Sequence, residues 1–229
     1  MLIYFKHFRR CFYKNPKGLP AQAGFTLIEL IVVSAIILIM TAFVLFQQSK
    51  FNSATLLRSL TYSMALSVRQ AQVYGTSLRG FVSGGGTTFG SGYGVHFLAA
   101  GTPYRYYLFA DSAGGDGQRA PGGGEDVIPP SPFTLGNGYA LSRLCVRTGQ
   151  NTPDCTVSTL TVFFRRPNPE ACISSSAVPG ACAAGVVPAY SSAYIEIKSS
   201  ANNDTRAIKV VDSGQIAICR PNLVDLTQC

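Results

Sequence analysis

The sequence has few charged residues and few histidines, and the shortage of histidine argues against two classes of enzyme site. Charged residues make up only 13% of the 229 residues. Of the two histidines, one lies near the N-terminus, so His96 is the single histidine of the rest of the chain. A zinc site of the HExxH type needs two histidines, and a catalytic triad that uses histidine would have to be built on His96 alone. We therefore expect the protein not to be an enzyme.

Two glycine-rich stretches also lack the residues of known ligand-binding motifs. Residues 84–94 (GGGTTFGSGYG) lack the Gly-Lys-Ser/Thr ending of a phosphate-binding loop. Residues 110–127 contain carboxylates, which are hard oxygen ligands that Ca²⁺ prefers, but not at the spacing of an EF-hand loop. These carboxylates belong to Asp111, Asp116, Glu125 and Asp126. We expect solvated surface loops and no cofactor, with Ca²⁺ binding by these four residues as the alternative.

The positive charge is concentrated at the N-terminus. The net charge is +8, and residues 1–24 carry five basic residues and no acidic one. A basic flank before an apolar segment is typical of the cytoplasmic end of a membrane span. The charge balance of the remaining chain does not favour nucleic-acid binding. The local alternative is a contact of Arg165 and Arg166, beside Phe163 and Phe164, with DNA phosphates and bases.

An apolar segment at residues 25–46 is interrupted only by Glu29. As a helix, 22 residues extend about 33 Å, which is close to the roughly 30 Å hydrocarbon core of a bilayer. The segment is longer than the apolar part of a removable secretory signal, so we predict a retained transmembrane helix. An ionisable residue inside such a helix is expected to be functional.

Residues 47–75 predict an amphipathic helix that follows directly. The apolar positions recur at spacings of three and four residues, namely Leu57, Leu60, Met64, Val68 and Ala71. Polar residues such as Gln72 lie mostly off this stripe. No proline occurs between residues 21 and 102, and we expect Gly75 to lie just after the helix end.

Residues 76–229 predict a β-rich domain of six to eight largely antiparallel strands. The strand patterns occupy 77–82, 93–98, 104–110, 139–147, 156–166, 193–199, 205–211 and 215–220. Asp212, Ser213 and Gly214 lie between the last two and predict a hairpin turn. Glycine- and proline-rich loops are expected at 84–92, 111–126 and 165–192. The expected fold class is α+β, with the long N-terminal helix packed on an antiparallel sheet.

Six of the seven cysteines form three sequential pairs, each with its members ten positions apart. They are Cys145, Cys155, Cys172, Cys182, Cys219 and Cys229, and the seventh is Cys11. Six cysteines allow fifteen connectivities, and the regular spacing favours sequential pairing. Each bridge would close a loop of about ten residues, worth roughly 2.5–3 kcal/mol, and would require an oxidising compartment. Metal binding is the alternative, but no pair has the short spacing of a zinc site.

The stretch GFTLIE at residues 24–29, between a basic leader and a long apolar run, resembles the N-terminal signal of the type IV pilin superfamily. That superfamily contains pilins, minor pilins and type II secretion pseudopilins. The resemblance implies a leader peptide at 1–24 that prepilin peptidase removes by cleavage between Gly24 and Phe25. It also implies N-methylation of the new Phe25 amine and pairing of Glu29 with the N-terminal amine of a neighbouring subunit. Loss of the leader would also remove the unpaired Cys11.

Two further segments resemble the GspH/FimT group of minor pilins and pseudopilins, namely residues 56–80 and 208–220. This implies a structural subunit that initiates or caps a type IV pilus or a type II secretion pseudopilus. Its partners would be other pilins, bound through the N-terminal helix, and the inner-membrane assembly platform. It would cross the bacterial inner membrane once, with its β-rich domain periplasmic or extracellular, and enter a filament on assembly. The alternative is a ligand-binding tip subunit, such as a DNA receptor. One departure is Phe46, where many type IV pilins have a helix-kinking proline.

Overall fold

The computed structural model describes most of the chain after the expected leader. The described residues are 24–77, 79–83, 86–89, 92–101, 103–111, 115–119, 126–136, 138–183, 185–186, 188–201 and 203–220. The chain divides into two compact units, Met1–Phe46 and Gln47–Cys229. Residues 1–23 lie outside the described residues, and so does most of the expected leader.

One helix precedes twelve strands in the described part of the chain. The helix, α1, spans Leu27–Thr76. The strands are β1 (Phe81–Ser83), β2 (Gly86–Thr88), β3 (Gly92–Leu98), β4 (Arg105–Asp111), β5 (Asp126–Val127), β6 (Phe133–Thr134), β7 (Tyr139–Arg147), β8 (Thr159–Phe164), β9 (Ala171–Ser175), β10 (Ser192–Ser199), β11 (Thr205–Val211) and β12 (Ile216–Cys219). Every strand pair is antiparallel. The predicted α+β fold is confirmed.

In the first unit, the part of α1 from Leu27 to Phe46 is long and apolar enough to cross a membrane. Its mean hydropathy is 2.8, and none of it is buried within the protein. Within the described residues, this is the one helical segment with that length and composition. The segment therefore suits membrane anchoring by its length and composition.

In the second unit, α1 supplies one side of the hydrophobic core. The predicted stripe is confirmed, because Leu57, Met64, Val68 and Ala71 are fully buried and Leu60 packs partly buried against the same cluster. The stripe is buried because helical spacing places these residues on one face.

Two expectations for the last turns of α1 are wrong. Gly75 does not follow the helix, which continues through Thr76. A Cβ atom at Gly75 would lie 2.6 Å from the carbonyl oxygen of Phe164, so glycine allows the helix to approach the end of β8. Gln72, expected off the apolar stripe, is only 5% exposed.

The described strands form two large sheets and one hairpin. The hairpin joins β1 and β2, and a four-stranded sheet has the order β12-β11-β10-β7. A six-stranded sheet has the order β5-β4-β3-β8-β9, with β6 also paired to β4. Both large sheets contribute to the core cluster that contains Met64 of α1, through residues such as Val95, Val162, Ile195 and Ile208. The core therefore lies among the helix and the inner faces of the two sheets.

The structure corrects several boundaries of the predicted strands and loops: the described part of the chain has twelve strands rather than six to eight, and the expected loop at 84–92 contains β2. The pattern at 77–82 yields only the short strand β1, which pairs with β2. The expected loop at 165–192 contains β9, in which Ile173 pairs with Val162 of β8 and is fully buried. The hairpin with its turn at residues 212–214 is confirmed, because β11 and β12 pair with Ile208 opposite Ile218.

Candidate functional site

The segment Gly24–Phe25–Thr26 lies immediately before α1 and is exposed. The Phe25 side chain is 82% exposed. The Thr26 hydroxyl oxygen accepts a hydrogen bond from the backbone N–H of Glu29 at 3.3 Å. The Thr26 carbonyl accepts the backbone N–H of Leu30 at 3.2 Å. Thr26 is therefore the N-cap residue of the apolar helix.

Thr26 is a residue that the sequence reasoning missed as a functional candidate. Its signal is the pattern Thr-x-x-Glu at residues 26–29, which is the capping-box pattern that precedes many helices. The length and composition of the apolar run predict a helix but do not determine its first residue. The cap shows why the helix begins at Leu27 rather than at Phe25.

Glu29 lies in the first turn of α1. A carboxylate is favourable there because unsatisfied backbone N–H groups give a helix N-terminus a partial positive charge. The side chain is exposed, and its carboxylate forms no ion pair with the part of the chain that the structure describes. The apolar side chains beside it are exposed too, including Ile28 and Leu30. Glu29 is thus the one charged side chain on the exposed, mostly apolar surface of Leu27–Phe46.

Residues 19–45 match the family model described as the prokaryotic N-terminal methylation motif. The chain carries a type IV pilin-like prepilin signal. The matched range includes Gly24, Phe25 and Glu29 together with most of the apolar segment. No curated protein and no solved structure matches the chain. The methylation motif thus supports a pilin-like protein, while the GspH/FimT assignment stays a prediction.

Between described cysteines, two disulfides close ten-residue spacings. Cys145 is bonded to Cys155, with a Sγ–Sγ distance of 1.97 Å, and Cys172 to Cys182, with 2.14 Å. Cys219 is also disulfide-bonded. Its expected partner, Cys229, lies outside the described residues, so this third pairing stays a prediction.

The Cys172–Cys182 disulfide covers the outer side of the six-stranded sheet. Cys182 is buried in a small second cluster with Phe109 and Phe163, and Cys172 packs partly buried against it. A Cβ atom at Gly117 would lie 2.5 Å from the Cβ of Cys182. The disulfide loop and the glycine-rich loop after β4 therefore pack directly on each other.

The carboxylates considered for Ca²⁺ have structural partners where the structure describes them. Asp111 is 4% exposed, and its two carboxylate oxygens accept the backbone N–H groups of Gly115 and Gly117, each at 2.9 Å. Asp116 accepts the backbone N–H of Gln118 at 2.9 Å. The description includes neither Glu125 nor the side chain of Asp126. Among the described residues, no three His, Cys, Asp or Glu side chains lie together in a possible metal site.

The arginine–phenylalanine hypothesis for DNA contact is wrong in its stacking part. Phe163 and Phe164 are 1% and 0% exposed, so their rings are not available to bases. The guanidinium group of Arg165 donates a hydrogen bond of 2.7 Å to the Gly115 carbonyl and lies 3.5 Å from the Asp111 carboxylate. Arg165 thus holds the loop after β4 against the end of β8.

His96 lies on β3 and is only 8% exposed. Its Nδ1 atom forms a hydrogen bond of 2.8 Å with the Thr161 hydroxyl on the neighbouring β8. Burial, and after it the positive charge of Arg119, lowers the pKa of His96 from 6.5 to about 4. The imidazole is therefore neutral near pH 7 and acts as a hydrogen-bonding core residue.

Proposed function

We propose that this protein is a structural subunit, a minor pilin or pseudopilin of the GspH/FimT group. It initiates or caps a type IV pilus or a type II secretion pseudopilus. The observation that carries the proposal is the methylation motif at residues 19–45, which includes most of the capped, exposed apolar part of α1. Proteins with this kind of signal are structural subunits rather than enzymes, and the proposal includes no catalytic activity.

In this proposal, the leader remains in the cytoplasm and prepilin peptidase hydrolyses the bond between Gly24 and Phe25. The new amine of Phe25 then receives a methyl group. The apolar helix anchors the subunit in the inner membrane once, and the β-rich unit lies on the periplasmic side. The disulfides support this side, because they require an oxidising compartment.

Pairing of the Glu29 carboxylate would favour assembly of the subunit with its neighbours. A carboxylate inside a membrane costs several kcal/mol unless it is paired. A neighbouring subunit's Phe25 amine would supply the missing positive charge only when the helices pack side by side. The pair would thus favour assembly and set the axial position of one helix against the next. Other pilins and the inner-membrane assembly platform are the proposed partners.

The alternative of a DNA-binding tip subunit loses the base-stacking part of its local support, because Phe163 and Phe164 are buried. The structural role is therefore the better-supported proposal.

Intact mass spectrometry of the membrane fraction tests the proposal most directly. We expect a chain that begins at Phe25 and is about 14 Da heavier than calculated, which corresponds to one added methyl group. The host must contain an active prepilin peptidase, and a host without it is the control, in which residues 1–24 should be retained. A chain that keeps the leader in the first host would contradict the proposal.

A further inference from the structure

We propose that Thr26 is a positioning residue for leader removal: its cap holds the start of α1 back so that the Gly24–Phe25 bond stays outside the helix. The inference deepens the proposed function and rests on it. Hydrolysis adds one water across the bond between the Gly24 carbonyl carbon and the Phe25 nitrogen. It leaves a carboxylate on Gly24 and an amine on Phe25.

The hydrogen bonds at the start of the helix show what the cap prevents. In a helix, each N–H bonds to the carbonyl four residues earlier. If α1 began one turn earlier, the N–H of Glu29 would bond to the Phe25 carbonyl, and that of Ile28 to the Gly24 carbonyl. The second of these is the carbonyl that water must attack. In the structure, the Glu29 N–H is bonded instead to the Thr26 hydroxyl at 3.3 Å.

The surroundings make this competition strong. The first N–H groups of a helix lack partners within the helix, and in an apolar medium an unsatisfied N–H costs several kcal/mol. A helix that enters a membrane therefore tends to recruit earlier carbonyls unless a side chain satisfies its first N–H groups. Thr26 supplies that side chain, and its own carbonyl already accepts the Leu30 N–H at 3.2 Å. The Gly24–Phe25 peptide bond, upstream of Thr26, then stays outside the hydrogen bonds of the helix.

The residues that precede the cap fit the same role. Gly24 and Phe25 are not helical and are exposed. Gly24 also resists helix extension, because glycine loses more conformational freedom in a helix than other residues do. A protease must otherwise unfold a helical turn to reach a bond within it. The geometry thus presents an exposed, non-helical peptide bond directly before the start of the helix.

Substitutions at Thr26 separate the cap from the rest of the side chain. Thr26→Ala removes the acceptor and favours helix, and Thr26→Val removes the acceptor while keeping the shape. Thr26→Ser and Thr26→Asn keep an acceptor and should restore the cap. Thr41→Ala is the matched control, because the Thr41 hydroxyl donates to the Ile37 carbonyl at 2.7 Å and caps nothing.

The experiment uses the full-length precursor in detergent micelles with purified prepilin peptidase. We expect Thr26→Ala to slow the initial cleavage rate about fivefold, the ratio that corresponds to a cap worth about 1 kcal/mol. Thr26→Val should also be slow, whereas Thr26→Ser, Thr26→Asn and Thr41→Ala should be cleaved at the wild-type rate. In the uncleaved precursor, the ¹³Cα chemical shifts of Gly24 and Phe25 should move toward helical values only in Thr26→Ala and Thr26→Val.

The outcomes distinguish this inference from the proposed function. If the wild-type chain is cleaved and Thr26→Ala is cleaved equally fast, the inference is overturned while the processing stands. The same holds if Thr26→Ala is slow but the shifts of Gly24 and Phe25 do not move, because the helix start has then not changed. If the wild-type chain is not cleaved between Gly24 and Phe25, the proposed processing is overturned and the inference with it.

Discussion

Gln72 and Gly214, 142 residues apart in the sequence, are joined by a hydrogen bond of 3.0 Å from the Gln72 side-chain amide to the Gly214 carbonyl. The same Nε2 atom donates to the Pro169 carbonyl at 2.9 Å. Gly214 lies in the β11–β12 turn, where a Cβ atom would approach the Pro169 carbonyl to 2.1 Å. One buried amide on α1 thus holds together two loops that approach each other closely.

Gln72→Leu should destabilise the β-rich unit by about 1–3 kcal/mol, because it leaves the carbonyls of Pro169 and Gly214 without their donor. Denaturant unfolding in micelles, followed by near-UV circular dichroism of the tyrosines, would measure the loss, since the chain contains no tryptophan. Ser59→Ala, at an exposed position of the same helix, is the control and should stay within about 0.5 kcal/mol. If Gln72→Leu also changes the free energy of unfolding by no more than about 0.5 kcal/mol, water replaces the amide as the donor to the two carbonyls, and the prediction is wrong.

Glu29→Ala and Glu29→Leu should leave membrane insertion intact but reduce incorporation into filaments by about tenfold or more, since the proposed pair with a neighbour's amine could not form. Glu29→Gln keeps the shape and some hydrogen bonding, so it should fall between wild type and Ala. The measurement is co-purification with sheared filaments or partner pseudopilins at equal membrane levels. Ser34→Ala, whose hydroxyl only donates to the Ile31 carbonyl within the helix, is the control. If all three Glu29 variants enter filaments as efficiently as the wild-type chain, Glu29 has no role in assembly and the prediction is wrong.

His96 should make stability depend on pH between about 6.5 and about 4. Because its pKa is lowered to about 4 in the folded protein, the unfolded chain takes up a proton that the folded chain resists. The free energy of unfolding should therefore be greatest above pH 6.5 and fall by up to about 3 kcal/mol as the pH drops to 4.

His96→Asn isolates that effect, because asparagine can still bond to Thr161 but does not titrate. The comparison is the change in unfolding free energy between pH 7 and pH 4.5 for each chain, not their absolute stability. The acidic residues titrate equally in both, so the variant should show the smaller fall. Equal falls would mean that His96 is not buried as neutral imidazole.

Cys219 and Cys229 should form the third disulfide. The proposed processing would remove Cys11 with the leader and leave six cysteines, of which four are bonded as Cys145–Cys155 and Cys172–Cys182. Non-reducing peptide mapping should yield one linked peptide pair that contains Cys219 and Cys229. A link from Cys219 to any other cysteine would contradict the sequential scheme.

The parts of the fold that the sequence predicted are those that local patterns determine. The stripe through Leu57 and Val68 follows from helical spacing, and the β11–β12 hairpin follows from its turn residues. In both cases neighbours in the sequence are also neighbours in the structure, so the pattern contains the information. The same applies to Gly24, Phe25 and Glu29, whose motif is contiguous.

The parts that the sequence did not predict depend on distant partners. Residues 171–175 (ACISS) have weak strand propensity and form β9 because β8 lies beside them. Gly75 resembles a helix end, but its role is set by Phe164, which β8 brings against it. Gln72 is polar by composition and buried only because Pro169 and Gly214 approach it. A short window of the sequence contains no information about these contacts between residues that are distant in the chain.

The order in which the chain visits its two large sheets has a consequence for how it can be divided. β3 and β4 enter the six-stranded sheet, β7 enters the other, β8 and β9 return, and β10 to β12 finish the four-stranded sheet. A cut between β7 and β8 would separate β3 from β8 and β7 from β10, which pair directly. Neither half would retain either of the two large sheets complete, so the β-rich unit should not divide at this point into two halves that fold independently. The β-rich unit should therefore complete its fold only after its last strands have been synthesised.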